Sequence, residues 1–142
     1  MTAEKGPQEN IILLKEMEAK EPVATFLDMK LAELETGYSR VSMKLRPEYL
    51  NFNGYVFGGI IMSLADQAFA YAINSVSHPS VASQFNIHFL AAPAAGAELF
   101  AECRVVRNGR RVGISEMTVT DGEGNLIARA TGTTIPLGPS GK

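Results

Sequence analysis

The chain has 142 residues, enough for one domain with a real core, and its 46% hydrophobic and 20% charged residues fit a folded globular protein. A net charge of -2 gives no electrostatic case for nucleic-acid binding, which draws on a basic excess. Cys103 is the single cysteine, so no intramolecular disulfide is possible and a reducing, cytoplasmic setting is expected.

In chain order, residues from about 8 to 20 predict an amphipathic helix with Ile11, Leu14 and Met17 on one side, stopped by Pro22. The run Ile11-Ile-Leu-Leu14 is too short for a membrane span and leads into Lys15, Glu16 and Glu18, so neither a membrane anchor nor a signal peptide is read here. From Met29 to Leu45 the period changes to two: Val41, Met43 and Leu45 alternate with Arg40, Ser42 and Lys44. The segment Glu35-Thr-Gly-Tyr38 is a turn, which makes this stretch a hairpin. Residues 47 to 57 read as a loop.

A second helix is predicted from Gly58 to about Ser77. Ile61, Leu64, Ala65, Ala68 and Ala72 fall on one stripe, and the helix is apolar on most of its circumference, which marks a buried helix. Beyond Pro79 the chain reads as strands: Ser83, Phe85, Ile87 and Phe89 alternate with Gln84, Asn86 and His88, and Leu99, Ala101, Cys103 and Val105 alternate with Glu102 and Arg104. Asn108-Gly109 signals a hairpin into a strand from about Arg111 to Thr120, and Asp121-Gly-Glu-Gly-Asn125 turns into Leu126–Ile135. The expected layout is a helical extension over residues 1–21, one domain over 22–137 and a flexible tail over 138–142. The fold class is α+β: a short N-terminal helix, a hairpin, one long central helix and a meander of three or four strands, with the long helix wrapped by the antiparallel sheet. Uncovered sheet edges point to a homo-oligomer, a dimer or a tetramer built from dimers.

The functional signal lies at the start of the long helix. From Pro47 to Ser77 the only charged side chains are Glu48 and Asp66, so Asp66 has no Lys or Arg within reach along its own helix. An ionised carboxylate on so apolar a surface is costly unless something uses it, and burial should raise its pKa. The plainer alternative is a polar residue hydrogen-bonded in an interface. Gly58, in the first turn, offers a backbone N–H without an intrahelical partner, suited to an oxyanion; Gly59 beside it reads as close packing. Asn51 can orient a carbonyl or a water through its amide, or be an ordinary turn residue. His78, His88 and Cys103 show no metal-ligand spacing, and no Gly-x-Ser-x-Gly elbow is present.

The order Asn51, Gly54, Phe57-Gly58-Gly59, then Leu64-Ala65-Asp66 resembles the Asn-x-x-Gly-x-x-His-Gly-Gly and Leu-Ala-Asp pattern of hotdog-fold thioesterases, of the PaaI-like and 4-hydroxybenzoyl-CoA thioesterase type. Asn86-Ile-His-Phe89, Pro93, Gly96, the Arg107-Asn-Gly-Arg-Arg111 hairpin and Ala128-Arg-Ala-Thr-Gly132 support the resemblance over about residues 22–137. It implies hydrolysis of an acyl-CoA to free acid and CoA, without a metal or other cofactor, at sites on a subunit interface. Asp66 would be nucleophile or general base, with Gly58 and Asn51 polarising the carbonyl. Ser83 would stand near the attacking water. Arg107, Asn108, Gly109, Arg110 and Arg111 would meet the CoA nucleotide, whose phosphates suit guanidinium groups.

The family's His is Phe57 here, and a phenyl ring makes no side-chain hydrogen bond. Two other readings therefore stay open. One is a non-catalytic acyl-CoA-binding sensor, which Phe57 favours. The other is a hotdog dehydratase or hydratase, whose chemistry wants a His paired with an acid, and neither His78 nor His88 lies between Asn51 and Asp66. Tyr55, Phe57, Phe69 and Tyr71 are candidates to line an acyl pocket or to form interface core.

Overall fold

The computed structural model describes residues 6–137; the tail expected over 138–142 lies outside them. Three α-helices, a one-turn 3-10 helix (Pro47–Tyr49, within the expected loop) and six strands are present among the described residues, the α-helices and strands in the order α1 (Pro7–Glu18), α2 (Pro22–Leu27), β1 (Met29–Glu35), β2 (Tyr38–Lys44), α3 (Gly58–Val76), β3 (Ser80–Phe89), β4 (Glu98–Asn108), β5 (Gly113–Asp121) and β6 (Leu126–Pro136). All strand pairs are antiparallel, in one sheet of order β1-β2-β4-β5-β6-β3.

The α+β expectation of one long helix wrapped by a sheet is met, with two corrections. Pro22 does not merely stop α1. It occupies the first turn of α2, where its fixed φ and missing N–H cost nothing, so a short second helix follows at once. The last four strands are not a simple meander either. β4, β5 and β6 follow one another, but β3 pairs with β6 at the far edge, so the chain crosses the sheet between β3 and β4. Period-two patterning fixes which face a strand buries, not which neighbour it finds.

The helix α3 packs across β4, β2 and β5. Its predicted stripe of Ile61, Leu64, Ala65, Ala68 and Ala72 is buried, and so is Phe69, whose ring tilts against Phe85 at 5.8 Å. Close approach is built into the sequence opposite Phe69: a Cβ on Gly132 would stand 2.4 Å from the Phe69 ring, so only glycine lets β6 pass. Cys103 is fully buried, as its alternation implied.

The strand β3 runs back along α3 and is tied to it at both ends. Asn74 receives the Ser80 N–H at 2.8 Å and donates to the Ser80 carbonyl at 3.3 Å, while Phe89 lies against Gly58. On the other side α1 rests on α3 through Leu14, which clusters with Leu34 and Tyr71. Glu21, at the start of α2, accepts hydrogen bonds from Gln67 at 2.6 Å and Tyr71 at 2.7 Å, fixing the α1–α2 junction to α3 just after Asp66.

Candidate active site

The exposed side of α3 is a narrow stripe of Met62, Asp66 and Ala70, one helical turn apart. Asp66 makes no hydrogen bond or ion pair among the described residues. Its side chain faces outward on the single chain, yet the apolar mass around it desolvates the carboxyl and raises its pKa above the ordinary 3.8. A carboxylate that is open at its tip and poorly hydrated at its base is chemically available and has no structural task.

At the start of α3, Phe57 is the N-cap residue, held by its N–H to the Tyr49 carbonyl at 2.8 Å. Gly58 follows as the first helical residue, and its N–H has no acceptor among the described residues. Together with the positive end of the helix dipole, that N–H is a site for developing negative charge. Both glycines are held small by neighbours: a Cβ on Gly58 would meet the Phe89 ring at 3.1 Å, and one on Gly59 would meet the Phe57 ring at 2.6 Å. Phe57 therefore lies over Gly59 and leaves much of its ring exposed.

The Asn51 side chain has its oxygen committed to the loop, accepting from the N–H groups of Asn53 at 2.9 Å and Tyr55 at 3.2 Å. That is the turn role; the amide –NH₂ keeps no partner among the described residues. Ser83 is the residue skipped by the β3–β6 ladder, where Ala82 pairs with Thr134 and Gln84 with Thr133. Its hydroxyl donates to the Thr133 carbonyl at 3.3 Å. Measured from the Asn74–Ser80 tie, Ser83 lies about 10 Å down β3 and Asp66 about 12 Å down α3, so the two stand at a similar level.

The predicted residues thus fall in three places. Phe57, Gly58 and Gly59 form the N-terminus of α3, with Asn51 in the loop that leads to it, Asp66 and Ser83 stand at its middle, and the arginine hairpin lies toward its far end. Gly113, at the hairpin's base, approaches Ile73, about 10 Å along α3 from Asp66 and about 22 Å from Gly58. Arg107, Gly109, Arg110, Arg111 and Val112 line a shallow depression of about 320 Å³. None of the three arginines makes an ion pair among the described residues.

Gly58 and Asp66 are eight residues apart on one helix, about 12 Å along its axis. The donor therefore stands at the start of α3 and the carboxylate near its middle.

Of the aromatic candidates, Phe69 is core and Tyr71 is buried against Glu21, whereas Tyr55 and Phe57 are exposed. Phe89 was read from sequence only as a strand and motif residue, without a place at the site, and Glu21 was not singled out. Both act through long-range contacts, with Gly58 and with Gln67 and Tyr71, that no local pattern announces. Among the described residues, no three His, Cys, Asp or Glu side chains gather as a metal site requires, and no helix is long and apolar enough to cross a membrane.

The family model described as the thioesterase superfamily matches residues 53–128. The acyl-coenzyme A thioesterase PaaI of Escherichia coli is 31% identical over 115 residues, 81% of this chain and 82% of that protein. A putative esterase of Archaeoglobus fulgidus is 38% identical over 107 residues, 75% of this chain and 70% of its own length. The solved structure of E. coli PaaI superposes with a TM-score of 0.88 at 28% identity, covering 94% of this chain and 97% of that one. A Streptococcus mutans protein solved with acetyl-CoA bound is 28% identical, with a TM-score of 0.72 over 75% of this chain and 86% of that one.

Proposed function

The chain belongs to the thioesterase superfamily, has the hotdog fold and is a thioester hydrolase, and on that premise we propose how its own residues carry out the reaction. The activity is hydrolysis of an acyl-CoA to free acid and CoA. The observation that carries the site assignment is Asp66, an unpartnered, desolvated carboxylate on the exposed face of α3. Asp66 takes a proton from water as the water oxygen attacks the thioester carbonyl carbon. The carbonyl oxygen gains charge against the Gly58 N–H, with the Asn51 amide beside it. The C–S bond then breaks, and the CoA sulfur leaves with the proton held by Asp66. A thioester is already activated, so a placed base and an oxyanion donor supply the necessary chemistry.

The Asp66 of one copy works with the Gly58 loop of another, a pairing favoured by the offset of about 12 Å between the two positions on one helix. Two further features favour such pairing. β3 is an edge strand of ten residues from Ser80 to Phe89 with no Lys, Arg, Asp or Glu, the side chains that normally keep an edge from pairing. Exposed Val81, Phe89, Leu90, Met62 and Phe57 surround the same region. A homodimer through this face, or a tetramer of such dimers, completes the site, with the arginine hairpin offered to the CoA phosphates. A cytoplasmic location fits the lone thiol.

Thiol release from a panel of acyl-CoAs, read with a thiol reagent, tests the activity. Cys103 does not confuse the reading, since burial pushes its thiol up to about 12. Release of CoA from at least one acyl-CoA is expected. Tight binding of all of them without release would leave a binding protein and overturn the mechanism.

A further inference from the structure

One turn beyond Asp66 on the exposed stripe, the side chain is only a methyl group. Ala70 opens there into a groove of about 550 Å³ between α1 and α3, bounded by Leu14, Met17, Pro22, Tyr71 and Pro79. That volume is in the range of small-molecule sites. Of the polar groups around it, the exposed Lys20 ammonium has no partner among the described residues, while two others are committed. The Glu21 carboxylate accepts from Gln67 and Tyr71, and the Asn74 amide is bound to Ala70 and Ser80. What the groove offers a ligand is therefore mainly apolar surface.

We propose that this groove receives the distal end of the acyl chain, making α1 a specificity element selective for unbranched apolar acyl groups of medium length. The inference rests on Asp66 as the reacting centre. From Asp66 the groove begins about 6 Å along the helix, at Ala70, and continues to about 12 Å, at Asn74. An extended chain advances about 1.2 Å per bond, so an acyl group of roughly six to ten carbons fills it, whereas acetyl or butyryl stops short. Continuity selects this occupant, because the same face of α3 carries Asp66, Ala70 and Asn74 in succession. Ala70 is the gate: any larger side chain there closes the passage from the reacting carbonyl.

Calorimetric binding of S-butyl-CoA and S-octyl-CoA, thioethers with no carbonyl to hydrolyse, tests this on the full chain. The wild type should bind the octyl ligand at least ~10-fold more tightly, since the added methylenes leave water only in the longer ligand. Ala70→Leu should cut that ratio by ~3-fold or more. Met17→Gln, at a side chain nearly half exposed and therefore tolerant of change, should lower it in the same direction. A wild-type ratio near one, or a ratio unchanged in both variants, overturns the proposal. Equal weakening of both ligands does so too, because the groove would then hold the pantetheine arm. Octanoyl-CoA turnover measured alongside separates the two claims. Length discrimination without hydrolysis removes the catalytic reading and keeps the groove, and hydrolysis without discrimination does the reverse.

Discussion

Gly58→Pro removes one hydrogen-bond donor and little else. Gly58 is the first residue of α3, the helical position where proline is favoured, because its N–H has no intrahelical acceptor to lose. Phe57 before it has φ -61 and ψ 127, the extended conformation that a residue preceding proline adopts. The steric cost is set by the Phe89 ring, which would stand 3.1 Å from the new Cβ and must give by a few tenths of an ångström. Phe89 is half exposed, so it has room to do so. Gly58→Ala brings the same Cβ while keeping the N–H, and it measures that steric part alone. Loss of one oxyanion donor costs about 10²–10³ in kcat. Steady-state hydrolysis of a good acyl-CoA should therefore show Gly58→Ala within several-fold of wild type and Gly58→Pro at least ~10² below it, with unchanged helical circular dichroism. A folded Gly58→Pro protein with turnover close to that of Gly58→Ala would refute the oxyanion role.

Asp66→Asn should lower kcat by at least ~10², the usual worth of a general base. The same substitution should raise thermal stability at neutral pH. With its folded pKa raised above 3.8, ionising Asp66 opposes folding increasingly as pH rises from there, so the gain in Tm should vanish when melting is measured near pH 3. Equal Tm shifts at both pH values would contradict the desolvated carboxylate. Phe57→His restores a polar ring over Gly59; a several-fold rise in kcat is expected if a missing hydrogen bond limits turnover, about 1 kcal/mol. A rise confined to KM for hydrophobic acyl groups would instead make Phe57 a wall of the substrate site.

Much of this was legible in the sequence because it is local. The α3 stripe, the β1–β2 hairpin, the Asn108-Gly109 turn and the isolation of Asp66 all follow from period and composition within a short window. Sequence also flagged Gly58 as a free helix N-terminus, though not that Phe89 arrives from β3 to restrict it. The place of β3 beside β6 was not legible, since pairing is decided by contacts about fifty residues apart, such as Phe85 with Gly132. The same holds for Glu21, whose bonds to Gln67 and Tyr71 bridge more than forty residues of sequence. Pro22 was read as a stop because its helix-breaking and helix-starting properties look alike until the following residues are seen to turn.

Mixing two inactive variants tests the shared site most directly. Asp66→Asn and Gly58→Pro chains, carrying different tags, are co-expressed in equal amounts and assayed for acyl-CoA hydrolysis. In a dimer whose sites combine Asp66 of one copy with Gly58 of the other, each mixed dimer holds one doubly substituted site and one fully native site. Half of the dimers are mixed, so activity should return to about a quarter of the wild-type level. If both groups act within one chain, no native site forms in any combination, and activity stays at the level of the two variants alone.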